Sequence, residues 1–140
     1  MKSLALAVFS VSLGWLFSGC AHLDTTPPSS ADRVLSGVVD HAGEDLPPGS
    51  EVLVRVMDLS RGEGRGEVLG ETTIANPGKM PVPFSIEYRA EDAQLLRTIN
   101  VEARVSIGGK LHYTTMTAHP LTVGNVKDSH VISVQVATKH

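Results

Sequence analysis

The chain has 140 residues, few enough for one domain, with 12 Lys and Arg against 15 Asp and Glu and a formal net charge of −3. That balance gives no electrostatic basis for binding nucleic acid or an anionic membrane surface. The single cysteine excludes an intramolecular disulfide.

The first 23 residues carry no formal charge apart from Lys2, and Leu4 to Phe17 is an apolar run broken mainly by Ser and Gly. A membrane-spanning helix needs about 20 apolar residues, whereas a signal-peptide core needs roughly 7 to 15. Residues 1–19 therefore read as a signal peptide. Lys2 is lost with it, leaving 11 basic against 15 acidic residues and a net charge of −4. Trp15, Phe9 and Phe17 go too, so Phe84, Tyr88 and Tyr113 are the aromatics of the mature chain and its core must be aliphatic.

Leu16-Phe17-Ser18-Gly19-Cys20 resembles a bacterial lipobox, with Phe17 where Leu is commoner. Small residues at Ser18 and Gly19 give a peptidase access to the backbone, and the Cys20 thiol is the nucleophile that becomes a thioether to diacylglycerol. Cys20 is thus the expected lipidation site. Two or three acyl chains, at about 0.8 kcal/mol per buried methylene, make a stable anchor. By resemblance to Gram-negative lipoproteins, Ala21 rather than Asp after the cysteine implies the outer membrane, with the domain facing the periplasm. The segment AHLDTTPPSSADR, rich in Pro, Ser and Thr, reads as a tether, so residues 20–33 link the anchor to a domain over 34–138.

Beyond the tether, apolar residues alternate in short runs separated by Gly, Pro, Asn and Asp, and no helical period persists. Strands are expected near Val34 to Asp40, Glu51 to Asp58, Val68 to Ile74, Val82 to Tyr88, Thr98 to Ile107, Leu111 to Ala118 and Val131 to Ala137. The fold class is all-β: a compact antiparallel β-sandwich of about seven short strands. Predicted core stripes are Val52, Val54 and Val56; Phe84, Ile86 and Tyr88; Ile99, Val101, Ala103, Val105 and Ile107; and Ile132, Val134 and Val136. After the fifth strand, a three-residue connection ending at Lys110, or an equivalent bulge, would pair Ile107 with Leu111 and Val105 with Tyr113. A two-residue Gly108-Gly109 turn would instead set Lys110 and His112 against the apolar stripe. Asn76 to Pro83 holds three prolines, which cannot serve a central strand, and reads as a turn leading to an edge. Residues 90–96 are a helical connector of one or two turns.

No reaction centre is legible, and the chain reads as a protein that is not an enzyme. The six histidines, His22, His41, His112, His119, His130 and His140, show no close metal-ligand spacing, although His112 and His130 could meet across strands. Gly62 to Gly66 is followed by strand residues, not by the helix that a phosphate loop requires. No Gly-x-Ser-x-Gly elbow occurs, and nothing marks Glu44, Asp45, Glu91 or Asp92 as an acid–base pair. No cofactor, metal or small-molecule substrate is implied. A β-domain can still bind a partner by adding a strand at an edge or laying a helix in a groove, and the proline-bounded fourth strand is the candidate edge. Pro81 and Pro83 equally read as guards against unwanted pairing.

Leu35-Ser36-Gly37-Val38-Val39, Leu46-Pro47-Pro48-Gly49-Ser50, Val54-Arg55-Val56-Met57-Asp58-Leu59-Ser60, Ile74-Ala75-Asn76-Pro77-Gly78 and Pro81-Val82-Pro83-Phe84 together resemble the YbaY and YscW family of bacterial lipoproteins. Ala103-Arg104-Val105, Gly109-Lys110-Leu111 and Thr114-Thr115 extend the resemblance, so it covers about Val34 to Val123. It departs at Gly108, where a polar residue is expected, and in a compressed segment from Arg89 to Thr98. The resemblance implies a β-sandwich and, for the YscW branch, a type III secretion pilotin. Such a protein binds the C-terminal segment of an outer-membrane secretin and brings it to the outer membrane through its own lipid. For the YbaY branch it implies an envelope lipoprotein of structural or ligand-binding role without a secretin partner. The shared motifs themselves read as turns and strand ends.

Overall fold

A computed structural model describes residues 32–62, 66–96 and 99–137. The signal segment, the lipobox, Cys20, His22, His140 and most of the tether lie outside the described residues. The strands are β1 (Asp32–Asp40), β2 (Ser50–Asp58), β3 (Glu67–Ala75) and β4 (Val82–Arg89), then β5 (Ile99–Ile107), β6 (Lys110–Thr114), β7 (Ser129–Ser133) and β8 (Gln135–Val136). Helix α1 (Asp92–Leu95) links β4 to β5. They form a three-stranded sheet, ordered β4-β1-β7, and a five-stranded sheet, ordered β3-β2-β5-β6-β8.

Period-two alternation explains which face of each strand is buried. Val52, Val54 and Val56 of β2 are buried against Val105, Ala103 and Val101 of β5, their ladder partners. Leu35 and Val39 of β1, with Val82, Phe84, Ile86 and Tyr88 of β4, close the core from the other sheet. Leu46, Met80, Leu95 and Leu121 plug its ends. The expected core stripes hold with two exceptions. Ile107 is half-buried at the end of its strand. Val136 is 62% exposed because the last expected strand divides: Ile132 and Val134 stay in the core, then the chain crosses to the other sheet as the two-residue edge strand β8.

Three further expectations are corrected. The sandwich is not wholly antiparallel, since β1 pairs with β7 in parallel. The sixth strand ends at Thr114 instead of Ala118. The chain then follows β5 through isolated bonds, Thr115 N–H to Ala103 O at 3.0 Å and Leu121 N–H to Ile99 O at 2.9 Å, with Pro120 supplying no donor. The β5–β6 connection is the two-residue Gly108-Gly109 turn, both glycines at positive φ (59° and 79°), so Ile107 faces Lys110 and not Leu111. A bulge between Val105 and Ser106 then restores the apolar register, and Val105 faces Tyr113 as expected.

Two turns far apart in the sequence lock together at one end of the sandwich. Gly49 N–H donates to Asn76 Oδ1 at 2.8 Å, Asn76 N–H to Ser50 O at 2.8 Å, and Leu46 N–H to Gly78 O at 2.9 Å. At the opposite end Asp58 closes β2 by accepting from Ser60 N–H at 2.9 Å and from Gln94 Nε2 at 3.2 Å. That opposite end also carries α1, the 122–128 turn and the start of β1, where the chain enters the domain. The fourth strand is an edge of its sheet, as expected, but the edge is partly closed. A Cβ built on Gly70 of β3 would lie 2.4 Å from Glu87 O, so the two sheets meet along that seam.

Candidate functional site

Alternation along β1 points Arg33 inward at the end where the chain enters, and the β1–β4 register sets Tyr88 directly across from it. Tyr88, with Ala90 and Leu95, is the last of the buried core at this end, and Arg33 lies over it at the rim, where the surface opens. The Arg33 guanidinium is held on two sides. Its Nε donates to Ala90 O at 2.9 Å, and its Nη2 pairs with Asp92 at the start of α1. The helix is itself fixed by a capping box, in which Glu91 N–H donates to Gln94 Oε1 at 2.8 Å, and by the buried Leu95.

Two adjoining hollows open here and share Arg33, Val34 and Tyr88. The larger, about 490 Å³, runs over the β3–β4 seam and is completed by Leu69, Glu87 and Arg89. The smaller, about 200 Å³, is completed by Val126 and Lys127 on the 122–128 turn. That turn is braced by its own polar groups. Thr122 N–H donates to Asn125 Oδ1 at 2.7 Å, Asn125 Nδ2 to Pro120 O at 3.1 Å, and His130 Nε2 lies 2.9 Å from Asn125 O. The cleft is therefore built on anchored elements, with aliphatic walls and a cation at each lobe.

Tyr88 is 3% exposed, and its hydroxyl has no hydrogen-bond partner among the described residues. Burial pushes its pKa up, and the nearby Arg33 charge partly offsets that rise. A buried hydroxyl without a partner costs about 1–3 kcal/mol, so it marks a place where the chain is not optimised for itself.

The residues singled out in the sequence occupy other places. Cys20 lies outside the described residues. His112 sits at the β6 bulge and His130 in β7 of the other sheet, so these two are not ladder partners. Among the described residues no three His, Cys, Asp or Glu side chains come together as a metal site. Glu44 bonds Tyr113 and lies 3.6 Å from His41, whose Nδ1 is 2.8 Å from Val134 O. The Asp45 backbone pairs with that of Lys79 in an isolated bridge, the Glu91 side chain caps α1 and Asp92 holds Arg33. Glu44, Glu91 and Asp92 thus have structural partners, and none of the four is paired with another as acid and base. Arg33, read as tether, and Lys127 were not legible as site residues. Tyr88 was legible only as core, although a tyrosine on an inward stripe always raises the question of where its hydroxyl goes.

Residues 30–134 match the family model described as the type III secretion system lipoprotein chaperone, YscW. A solved structure of an alternative pilotin from the type II secretion system of Vibrio cholerae is similar in fold, with a TM-score of 0.62 and 19% identity. The match covers 77% of this chain and 99% of that one. Comparison with functionally curated proteins gives no match.

Proposed function

Since the chain belongs to the type III secretion system lipoprotein chaperone family, we propose that it acts as a pilotin: an outer-membrane lipoprotein that binds the C-terminal segment of a secretin subunit and carries it to the outer membrane for assembly. The family match over residues 30–134, which spans β1 to β7, carries this reading. In it Cys20 holds the lipid, residues beyond it form the tether, and the β-sandwich faces the periplasm as the grip.

The architecture suits that division of labour. Glu44, Asp58, Glu91 and Asp92 are engaged in turns, caps and ion pairs, and the fold leaves an open cleft where a partner can enter. The cleft lies at the end where β1 begins, so a captured segment would be held close to the anchor. Pull-down of secretin C-terminal peptides by the mature chain tests the reading. Capture of a tail from the same bacterium is expected, and failure to capture any of them would overturn it.

A further inference from the structure

We infer that the cleft at the entry end of the sandwich takes a peptide segment bearing a carboxylate beside an aliphatic residue, with Arg33, Tyr88 and Lys127 as its polar contacts. The inference rests on the pilotin reading and adds to it a binding face and the chemistry of the occupant.

Four observations converge on this chemistry. First, Arg33 is already positioned as a carboxylate receptor: the Ala90 carbonyl fixes its Nε, and its Nη2 already holds the Asp92 carboxylate. Asp92 is 72% exposed on a four-residue helix, so the carboxylate now on Arg33 is held weakly and an incoming one can replace it. Second, the Tyr88 hydroxyl is shut away from water and has no acceptor among the described residues. An occupant that parts the side chains over Tyr88 as it engages Arg33 would bring one to it. Third, Lys127 on the smaller lobe makes no ion pair among the described residues and places a second cation on the same side. Fourth, Val34, Leu69 and Val126 give the walls an aliphatic character, and Val34 is 59% exposed. A cationic mouth with apolar walls on a domain of net acidic charge selects an acidic, apolar segment over a basic one. Glu87 on the rim of the larger lobe sharpens the choice by repelling a carboxylate that enters from that side.

The arrangement makes the substitutions differ in sign, which a purely structural role for these residues would not do. Asp92→Asn releases Arg33 and should tighten binding. Arg33→Gln should weaken it by about tenfold or more, the loss of a charge-assisted hydrogen bond. Tyr88→Phe removes an unsatisfied hydroxyl, so it should raise Tm while weakening binding.

The test is titration of fluorescent peptides covering the C-terminal tails of the bacterium's own secretins into the mature chain carrying Cys20→Ser, a change outside every described strand. Thermal unfolding of each variant is measured alongside. Acid-to-amide peptides, with the tail's side-chain carboxylates and its terminal carboxylate replaced separately, identify which carboxylate is read. Tighter binding by Asp92→Asn, weaker binding by Arg33→Gln and opposite shifts in Tm and affinity for Tyr88→Phe would support the cleft. Wild-type affinity in folded Arg33→Gln and Tyr88→Phe variants would overturn the inference and leave the pilotin reading standing. Absence of binding by the wild-type chain would overturn both.

Discussion

Gly37 and His130 face each other across the parallel β1–β7 pair so closely that a Cβ on Gly37 would lie 2.0 Å from the His130 carbonyl oxygen. Gly37 is buried and its backbone conformation is open to any residue, so the requirement is one of space. The parallel pair is what fastens β7 to the three-stranded sheet. Gly37→Ala must therefore separate the strands or break the ladder, and the expected cost is about 3 kcal/mol or more. Chemical denaturation should show a large fall in midpoint. A midpoint near wild type would mean that β7 is not held against β1 in this way.

The β5–β6 turn gives a prediction of opposite sign. Gly108 and Gly109 both have positive φ, and nothing lies within 4 Å of a Cβ at Gly108. Asn adopts this left-handed conformation readily and occupies the first position of such turns. Gly108→Asn should stabilise the domain by about 0.5 kcal/mol, through the smaller entropy of the unfolded chain. A small rise in Tm is expected. Gly108→Val, which cannot adopt the conformation without strain, should lower it.

A third prediction concerns pH. His119 is held below the ordinary histidine pKa of 6.5, first by burial and then by the charge of His130, against a backbone hydrogen bond at Ser133 that favours the proton. Its Nε2 has no partner among the described residues. The unfolded chain therefore takes up the proton before the folded one does. The stability from a neutral His119 is complete above 6.5 and is lost as pH falls through that value toward the lowered folded pKa. Between about pH 7.5 and about pH 5.5 the wild-type Tm should fall more than that of His119→Gln. Equal falls would remove His119 from the acid response.

Most of the scaffold was legible in the sequence because its signals are local. Val52, Val54 and Val56, or Ile99 to Val105, announce strand and face by alternation alone. Asn76 to Pro83 announces a turn because proline lacks a donor. What escaped depends on partners distant in the chain. Nothing near Gly37 reveals that its neighbour is His130 in a parallel pair, and the crossing from β7 to β8 that exposes Val136 is a matter of which sheet edge is vacant. The β5–β6 register was half legible: alternation required Val105 to face Tyr113, but whether the extra residue sat in the turn or in a bulge was left to the geometry of two glycines. The cleft was the least legible. Arg33 lies next to a Pro- and Ser-rich segment and reads as tether until the β1–β4 ladder sets it opposite Tyr88.

The measurement that bears most directly on the proposed role follows the secretin rather than this protein. In a strain lacking this protein, membranes are fractionated and assembled secretin multimers are detected after complementation with wild type or with Cys20→Ser. Wild type is expected to restore multimers to the outer-membrane fraction, while Cys20→Ser should be released from membranes and leave the secretin unassembled or misplaced. Normal secretin assembly in the absence of the protein, or full rescue by Cys20→Ser, would contradict a role in lipid-tethered delivery.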